Sequence, residues 1–233
     1  EALDRQYDQR VLVPDANEYI ARNARDSAEV RARLDCRLNV AYGPSPDETL
    51  DIFPAGDNTP VIVYVHGGAW TRWSKDENSY QAPVFVDAGA AFVSVNFALA
   101  PQVSLDELVR QNRATVKWVY DHARDFGADP DRLYIVGHSS GAHVVGLLAV
   151  TDWAADWGLP ADVIKGAIAV SGMYDLEPVR LSSRSESRYS RSSKPCPRHS
   201  QHSARHPSSA CCGPTLGRAA GPRASAPGST RRA

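Results

Sequence analysis

The stretch Gly137-His138-Ser139-Ser140-Gly141 decides the fold of this chain. It follows the apolar run Leu133-Tyr134-Ile135-Val136, which predicts a buried strand, and it precedes residues 142–150, which predict a helix packed on the sheet. A G-x-S-x-G pattern between a strand and a helix is a nucleophile elbow, a turn so tight that side chains at its ends would collide with neighbouring backbone. The pattern therefore predicts that Ser139 sits on a strained corner with its hydroxyl exposed as a nucleophile.

A second motif, His66-Gly67-Gly68-Ala69-Trp70, follows the continuously apolar run at residues 61–65. Glycines after a central strand let backbone N–H groups face a cavity without side chains in the way. We expect the N–H groups of Gly67 and Gly68, together with that of Ser140, to form an oxyanion hole. The alternative is a Gly-Gly turn without chemical consequence.

The rest of the first 181 residues alternates between strand and helix patterns. The order β-β-β-α-β-α-β-α-β predicts an α/β fold of the α/β-hydrolase type, with a mostly parallel sheet and helices on both faces. The first two strands are expected to pair antiparallel at one edge, and the sheet is expected to be incomplete after its sixth strand. The strands are predicted at residues 37–42, 49–53, 61–65, 91–97, 133–136 and 164–170, and the main helices at 15–34, 78–88, 104–126 and 142–150.

The composition changes abruptly after Leu181. The whole chain has 233 residues and a net charge of −1, whereas residues 182–233 carry a net charge of about +9 and the body before them about −10. Tyr189 and Leu216 are the large apolar residues of this tail, too few to offset its ordering entropy. We therefore expect a hydrolase domain over residues 1–181 and a basic, low-complexity tail over residues 182–233, either disordered or read out of frame.

Together the two motifs resemble the α/β-hydrolase superfamily, and within it the carboxylesterase and arylformamidase (kynurenine formamidase-like) branch, where H-G-G-x-W is usual. Leu99-Ala100-Pro101 and Ser171-Gly172-Met173-Tyr174-Asp175-Leu176 are similar to that branch as well. The resemblance covers roughly residues 7–181. It implies Ser139 as nucleophile, oxyanion donors at Gly67, Gly68 and Ser140, small esters or N-formyl aryl amides as substrates, and neither a metal nor an organic cofactor.

The chain departs from this family in its acid and base. The family places the acid after a seventh strand and the histidine after an eighth, and the sequence has no recognisable pattern for either strand. Asp175, after the sixth strand, is an alternative acid or a structural residue. Of the histidines, His66 is expected to organise the oxyanion loop and His138 to line the pocket. His143 is expected to pack beneath the oxyanion loop, and His122 is expected to be solvated. The remaining three histidines lie in the tail: His199, His202 and His206.

Two aromatic residues and the tail leave further alternatives. Trp70 and Trp73 fit either a substrate pocket or ordinary core packing. The tail run from Cys196 to Cys212 fits no common zinc-finger spacing, so no metal site is expected. The Ser-Arg stretch at residues 182–191 could attract phosphates, but without interleaved aromatics it predicts no specific nucleic-acid recognition.

The expected localisation is cytoplasmic, because the first residues show no apolar signal region and no run is long enough to cross a bilayer. The expected partners are a small ester or amide substrate and, as a candidate assembly, a second copy in a homodimer. The sequence thus predicts a serine hydrolase acting through an acyl-enzyme on Ser139. The alternative is a catalytically impaired hydrolase-fold protein that binds a small molecule in the same pocket.

Overall fold

A computed structural model of the chain describes residues 2–8 and 11–182. Its strands form one six-stranded sheet in the order β1-β2-β4-β3-β5-β6. The strands are β1 (Arg37–Ala41), β2 (Thr49–Phe53), β3 (Thr59–Val65), β4 (Ala91–Val95), β5 (Ala128–His138) and β6 (Ile164–Val170). The helices are α1 (Ala2–Tyr7), α2 (Ala16–Arg33), α3 (Ala82–Asp87), α4 (Leu105–His122), α5 (Ser140–Ala149), α6 (Trp153–Trp157) and α7 (Glu177–Leu181). The predicted tail lies outside the described residues.

The sheet is antiparallel at one edge and parallel elsewhere. β1 pairs antiparallel with β2, and β2 pairs antiparallel with β4. The β3–β4, β3–β5 and β5–β6 pairs are all parallel. This arrangement confirms the predicted α/β-hydrolase-type fold, including the antiparallel pairing of the first two strands.

Helices cover both faces of the sheet, so the central strands are buried on both sides. One core contains buried residues of α4 and α5, among them Leu108, Val116 and Leu148, packed with Val63 and Ile135 of the sheet. The second core lies on the opposite face, beneath α2 and α3. It contains Val30, Phe53, Tyr64, Ala82, Phe92 and Val136. Burial on both faces explains why β3 and β4 are mostly apolar rather than alternating between apolar and polar residues.

Two predicted helices differ in detail from the structure. The segment predicted as one helix at 104–126 becomes α4 followed by the 3₁₀ turn Ala123–Phe126, which ends at Gly127 with a φ of 81°. The segment predicted at 78–88 enters through the 3₁₀ turns Lys75–Glu77 and Ser79–Gln81 before α3. In both cases tighter turns replace the end of a regular helix, as is common at helix termini.

Helix α2 is fastened to the sheet by a buried group of charges. The Asp51 side chain on β2 is fully buried and lies 3.0 Å from Arg31 Nε and 3.1 Å from Lys75 Nζ. The backbone N–H of Asn39 donates to Asp51 Oδ1 at 2.8 Å. The Arg31 contact has ion-pair distance without the angle of a hydrogen bond.

Within the described ranges, no helix is both long enough and apolar enough to traverse a bilayer.

Candidate active site

The two motifs meet at the carboxyl edge of the sheet. β3 and β5 are adjacent parallel strands, and Val65 at the end of β3 is in register with Gly137 at the end of β5. The loop that follows β3 and the turn that follows β5 therefore leave the sheet side by side. Ligand sites of open α/β sheets lie at this edge.

The turn between β5 and α5 has the geometry of a nucleophile elbow. Ser139 has φ 56° and ψ −121°, a backbone conformation that residues other than glycine rarely adopt. The residue is partly exposed. Its N–H donates to the Val170 carbonyl on β6 at 2.8 Å. A Cβ on Gly137 would lie 2.6 Å from the Gly141 carbonyl oxygen, and a Cβ on Gly141 would collide with the Val65 carbonyl. Both glycines are thus required for the corner to form.

The glycine loop passes directly beside Ser139. A Cβ on Gly67 would lie 3.3 Å from Ser139 Cβ and 2.9 Å from the His138 carbonyl oxygen, so only glycine fits there without movement. Gly68 has a φ of 107°, and a Cβ on it would collide with the Arg72 carbonyl. The absence of side chains brings the backbone of this loop against the elbow.

A further backbone donor comes from the elbow helix. Ser140 is the first residue of α5, and the first four N–H groups of a helix have no partner within it. They also lie at the positive end of the helix dipole. The structure thus places Gly67 against Ser139 and Ser140 directly after it, and these are two of the three residues predicted to supply oxyanion donors.

His66 lies in the core beneath the glycine loop. Its side chain is 1% exposed, its Nδ1 lies 2.7 Å from the Gly67 carbonyl oxygen, and its ring stacks on Phe97 with centroids 4.3 Å apart. Burial lowers the pKa of His66 to about 4, so the ring is neutral at pH 7. The Nδ1–H therefore donates to Gly67, and the ring supports the loop rather than facing an open pocket.

Trp70, the last residue of the motif, is also a core residue. It is 2% exposed, and its ring makes an edge-to-face contact with His143 on α5 at 5.4 Å. Burial also lowers the pKa of His143. Trp73 is partly exposed, with the Arg72 guanidinium 5.5 Å from its ring centre. Of the two tryptophans, Trp73 is thus the one placed where a ligand could contact it.

Two further predicted pocket residues lie on the surface. His138 is exposed next to Ser139, and its Nδ1 lies 3.4 Å from the position that a Cβ on Gly67 would take. Partial burial of the ring lowers its pKa. Asp175 is exposed, and its Oδ1 accepts the Glu177 N–H at 3.1 Å. That bond ties Asp175 to the backbone of the first residue of α7, a local structural contact.

The described residues contain no histidine paired with a carboxylate. The ring nitrogens of His66 and His122 bond to the carbonyls of Gly67 and Trp118, and His143 Nδ1 is buried without a hydrogen-bond partner in the described part of the chain. No group of three metal-ligating side chains occurs within residues 2–8 and 11–182. The tail candidates His199, His202 and His206 lie outside that part.

Sequence reasoning missed the side chain of Ser140. The N–H of Trp70 donates to Ser140 Oγ at 3.2 Å, in the interior and across seventy positions of sequence. Ser140 was singled out for its backbone N–H alone. No pattern links these two residues, because the contact arises only when the β3 and β5 loops are brought together.

Proteins named as formamidases and esterases are similar in sequence to this chain. It is 37% identical to kynurenine formamidase of Danio rerio over 145 residues, 61% of this chain and 47% of the relative. It is 31% identical to esterase LipQ of Mycobacterium tuberculosis over 150 residues, 59% of this chain and 35% of the relative. The chain thus spans about half or less of the length of these curated relatives.

A solved structure supports the same placement. The crystal structure of a "putative thioesterase" from Silicibacter sp. TM1040 superposes with a TM-score of 0.70 at 28% identity, covering 79% of this chain and 69% of that one. The sequence profile of the BD-FAE family matches residues 50–192, more than half of the chain, and the match includes both the glycine loop and the elbow. The chain belongs to the BD-FAE family, and its fold and relatives are those of carboxylesterase- and arylformamidase-like α/β-hydrolases.

Proposed function

We propose that this protein is a serine hydrolase that cleaves small carboxylic esters or aryl formamides through an acyl-enzyme on Ser139. The observation that carries the proposal is the strained corner at Ser139 with Gly67 packed directly against it. Relatives named as a kynurenine formamidase and an esterase support the substrate class. The strain supports a chemical role, because residues held at such angles cluster at active sites.

In the proposed reaction, Ser139 Oγ attacks the carbonyl carbon and the π electrons move onto the carbonyl oxygen. The N–H groups of Gly67, Gly68 and Ser140 donate to that oxyanion. The intermediate collapses, the bond to the alcohol or aryl amine breaks, and an acyl or formyl ester remains on Ser139. A general base takes the serine proton and returns it to the leaving group, and water then hydrolyses the ester.

The test compares the wild-type chain with Ser139→Ala. A fluorophosphonate probe is expected to label wild type at Ser139, located by peptide mass spectrometry. Turnover of 4-nitrophenyl acetate or of formanilide is expected to fall by about 10³-fold or more in the variant. Ser171→Ala is the matched control, because Ser171 also has a left-handed φ, of 54°, and follows the neighbouring strand.

The outcomes separate the proposal from its alternative. Labelling and turnover that survive Ser171→Ala and vanish with Ser139→Ala support the serine hydrolase. Turnover that persists in Ser139→Ala overturns the assignment of the nucleophile. Binding of an ester analogue without labelling or turnover supports the impaired, ligand-binding hydrolase fold instead.

A further inference from the structure

We infer that the Ser140 hydroxyl is a positioning group, which holds the glycine loop in its oxyanion-binding conformation separately from any role of the Ser140 N–H. The inference rests on the proposed function for its kinetic consequence. It starts from a hydrogen bond that joins the two loops, from Trp70 N–H to Ser140 Oγ at 3.2 Å. Ser140 is 2% exposed, so water does not readily replace this bond.

The loop needs such a support because its backbone is strained. Gly68, Ala69 and Trp70 have consecutive φ values of 107°, 56° and 63°. Glycine adopts such angles freely, but alanine and tryptophan do not, and left-handed residues persist only where their surroundings hold them. Trp70 is thus a strained residue whose N–H is bound by the elbow itself.

Other contacts hold Trp70 on either side of this bond. Its carbonyl accepts the Ala100 N–H at 2.8 Å from the loop after β4. Its ring meets the edge of His143, which stands three residues after Ser140 and so on the same side of α5. Of these contacts, the Ser140 hydroxyl is the one that joins the loop backbone to the residue following the nucleophile.

The hydrogen bond between Trp70 and Ser140 lies close in sequence to the residues proposed to bind the oxyanion. Trp70 is two residues after Gly68, and Ser140 is one residue after Ser139. Removing the hydroxyl leaves a buried N–H without an acceptor, which favours a rearranged loop. Moving the N–H groups of Gly67 and Gly68 weakens their bonds to the oxyanion, while the N–H of Ser140 is retained.

The experiment uses the full chain with Ser140→Ala and a matched control, Ser27→Ala. Ser27 is also fully buried, and its hydroxyl accepts a backbone N–H from a distant segment, that of Tyr80 at 3.0 Å. Ser27 is on α2, so the control removes the same kind of bond from the other face of the sheet. Ser140→Thr keeps the hydroxyl and tests rescue.

The first readout is amide hydrogen exchange and does not depend on activity. In Ser140→Ala, exchange at Trp70 is expected to accelerate about tenfold or more while Tyr80 is unchanged. In Ser27→Ala, exchange at Tyr80 is expected to accelerate while exchange at Trp70 is unchanged. Unchanged exchange at Trp70 in a folded Ser140→Ala protein overturns the inference, whether or not the chain hydrolyses esters.

The second readout is the kinetics of 4-nitrophenyl acetate hydrolysis. Ser140→Ala is expected to lower kcat about 10- to 100-fold with little change in KM, Ser140→Thr to recover most of it, and Ser27→Ala to leave both constants unchanged. An inactive wild type contradicts the proposed function and leaves the exchange result to decide this inference. If Ser27→Ala and Ser140→Ala lower kcat equally, the loss reflects a general effect on stability, and the inference about the Ser140 hydroxyl is overturned.

Discussion

Strained residues of this molecule gather where the site is. Among the described residues, seven that are not glycine have a left-handed φ, and two of them are asparagines, which tolerate it. The other five lie in the loops after β3, β5 and β6: Ala69, Trp70, Trp73, Ser139 and Ser171. Each such residue costs about 1–3 kcal/mol, so the concentration at one edge marks a conformation that the surrounding packing enforces.

Gly67→Ala is predicted to lower kcat for 4-nitrophenyl acetate by about 10²-fold. The added methyl would meet the His138 carbonyl oxygen at 2.9 Å and force the loop away from Ser139. The matched control is Gly166→Ala on β6, whose methyl would meet the ring of Tyr134 on β5 at 3.1 Å, a side chain that can move. Equal kinetics for Gly67→Ala and wild type would contradict the placement of this loop.

His66 is predicted to make the folded protein acid-sensitive. Its pKa is about 4 in the fold and 6.5 in the unfolded chain, so below pH 6.5 the unfolded state takes up a proton that the folded state excludes. The free energy of unfolding is therefore expected to fall by about 3 kcal/mol between pH 6.5 and pH 4. Urea unfolding at pH 7 and pH 4 measures this loss.

His66→Asn is the reference for that measurement, because its amide could still donate to the Gly67 carbonyl but does not titrate. The variant is expected to lose about 3 kcal/mol less than wild type between the two pH values. Identical pH dependence in both proteins would show that the buried imidazole is not the group responsible.

At the scale of elements, α2 is held to the sheet by charges as much as by apolar contact. Tyr19 and Ile20 of α2 are exposed, whereas Ser27 and Val30 are buried. The Arg31 and Lys75 side chains reach Asp51 from α2 and from the turn after the glycine loop. This cluster therefore couples the entry helix to the segment that follows the candidate site.

Asp51→Ala is predicted to destabilise the protein by about 3 kcal/mol, because it removes the buried carboxylate and leaves Arg31 and Lys75 paired only with the half-exposed Asp76. Lys117→Met is the control, since it removes an ion pair with Asp121 in which both side chains are 42% exposed. That change is expected to cost less than about 0.5 kcal/mol. Urea unfolding of both variants measures the difference, and a loss below about 1 kcal/mol for Asp51→Ala would contradict the structural role of the cluster.

For the molecule as a whole, the last described strand, β6, lies at an edge of the sheet. β6 pairs with β5 on one side, and its Ile168 and Val170 are 59% and 45% exposed. The basic residues that follow were predicted, from their composition alone, not to contribute to a core. The body and the tail differ in charge as well, at about −10 and +9.

Ending the chain after Ser182 is predicted to leave the Tm within about 2 °C of the full chain, because residues 183–233 contain only Tyr189 and Leu216 as large apolar residues. Ending it after residue 163 instead removes β6, on which α5 packs, and is expected to abolish cooperative unfolding. Thermal melts followed by circular dichroism test both. A large fall in Tm for the first truncation would show that the tail contributes to the fold.

The sequence by itself determined the order of the six strands and of the helices α2 to α5, the mixed edge of the sheet, and the two motifs, but not the short helices α1, α6 and α7. These are local properties: an apolar run such as residues 61–65 predicts a strand, and Gly137 and Gly141 predict a tight turn wherever they stand. The regularity of element ends was less predictable, as at His122, where α4 gives way to a 3₁₀ turn, because helix termini depend on what packs against them.

Only the tertiary structure decided which side chains face the site and which support it from beneath. It placed His66 and Trp70 in the core, bonded Asp175 to the backbone at the start of α7, and joined Trp70 to the hydroxyl of Ser140. Burial and long-range contacts arise only when the β3 and β5 loops meet at one edge of the sheet. A sequence pattern records spacing along the chain, whereas these roles depend on distances across it.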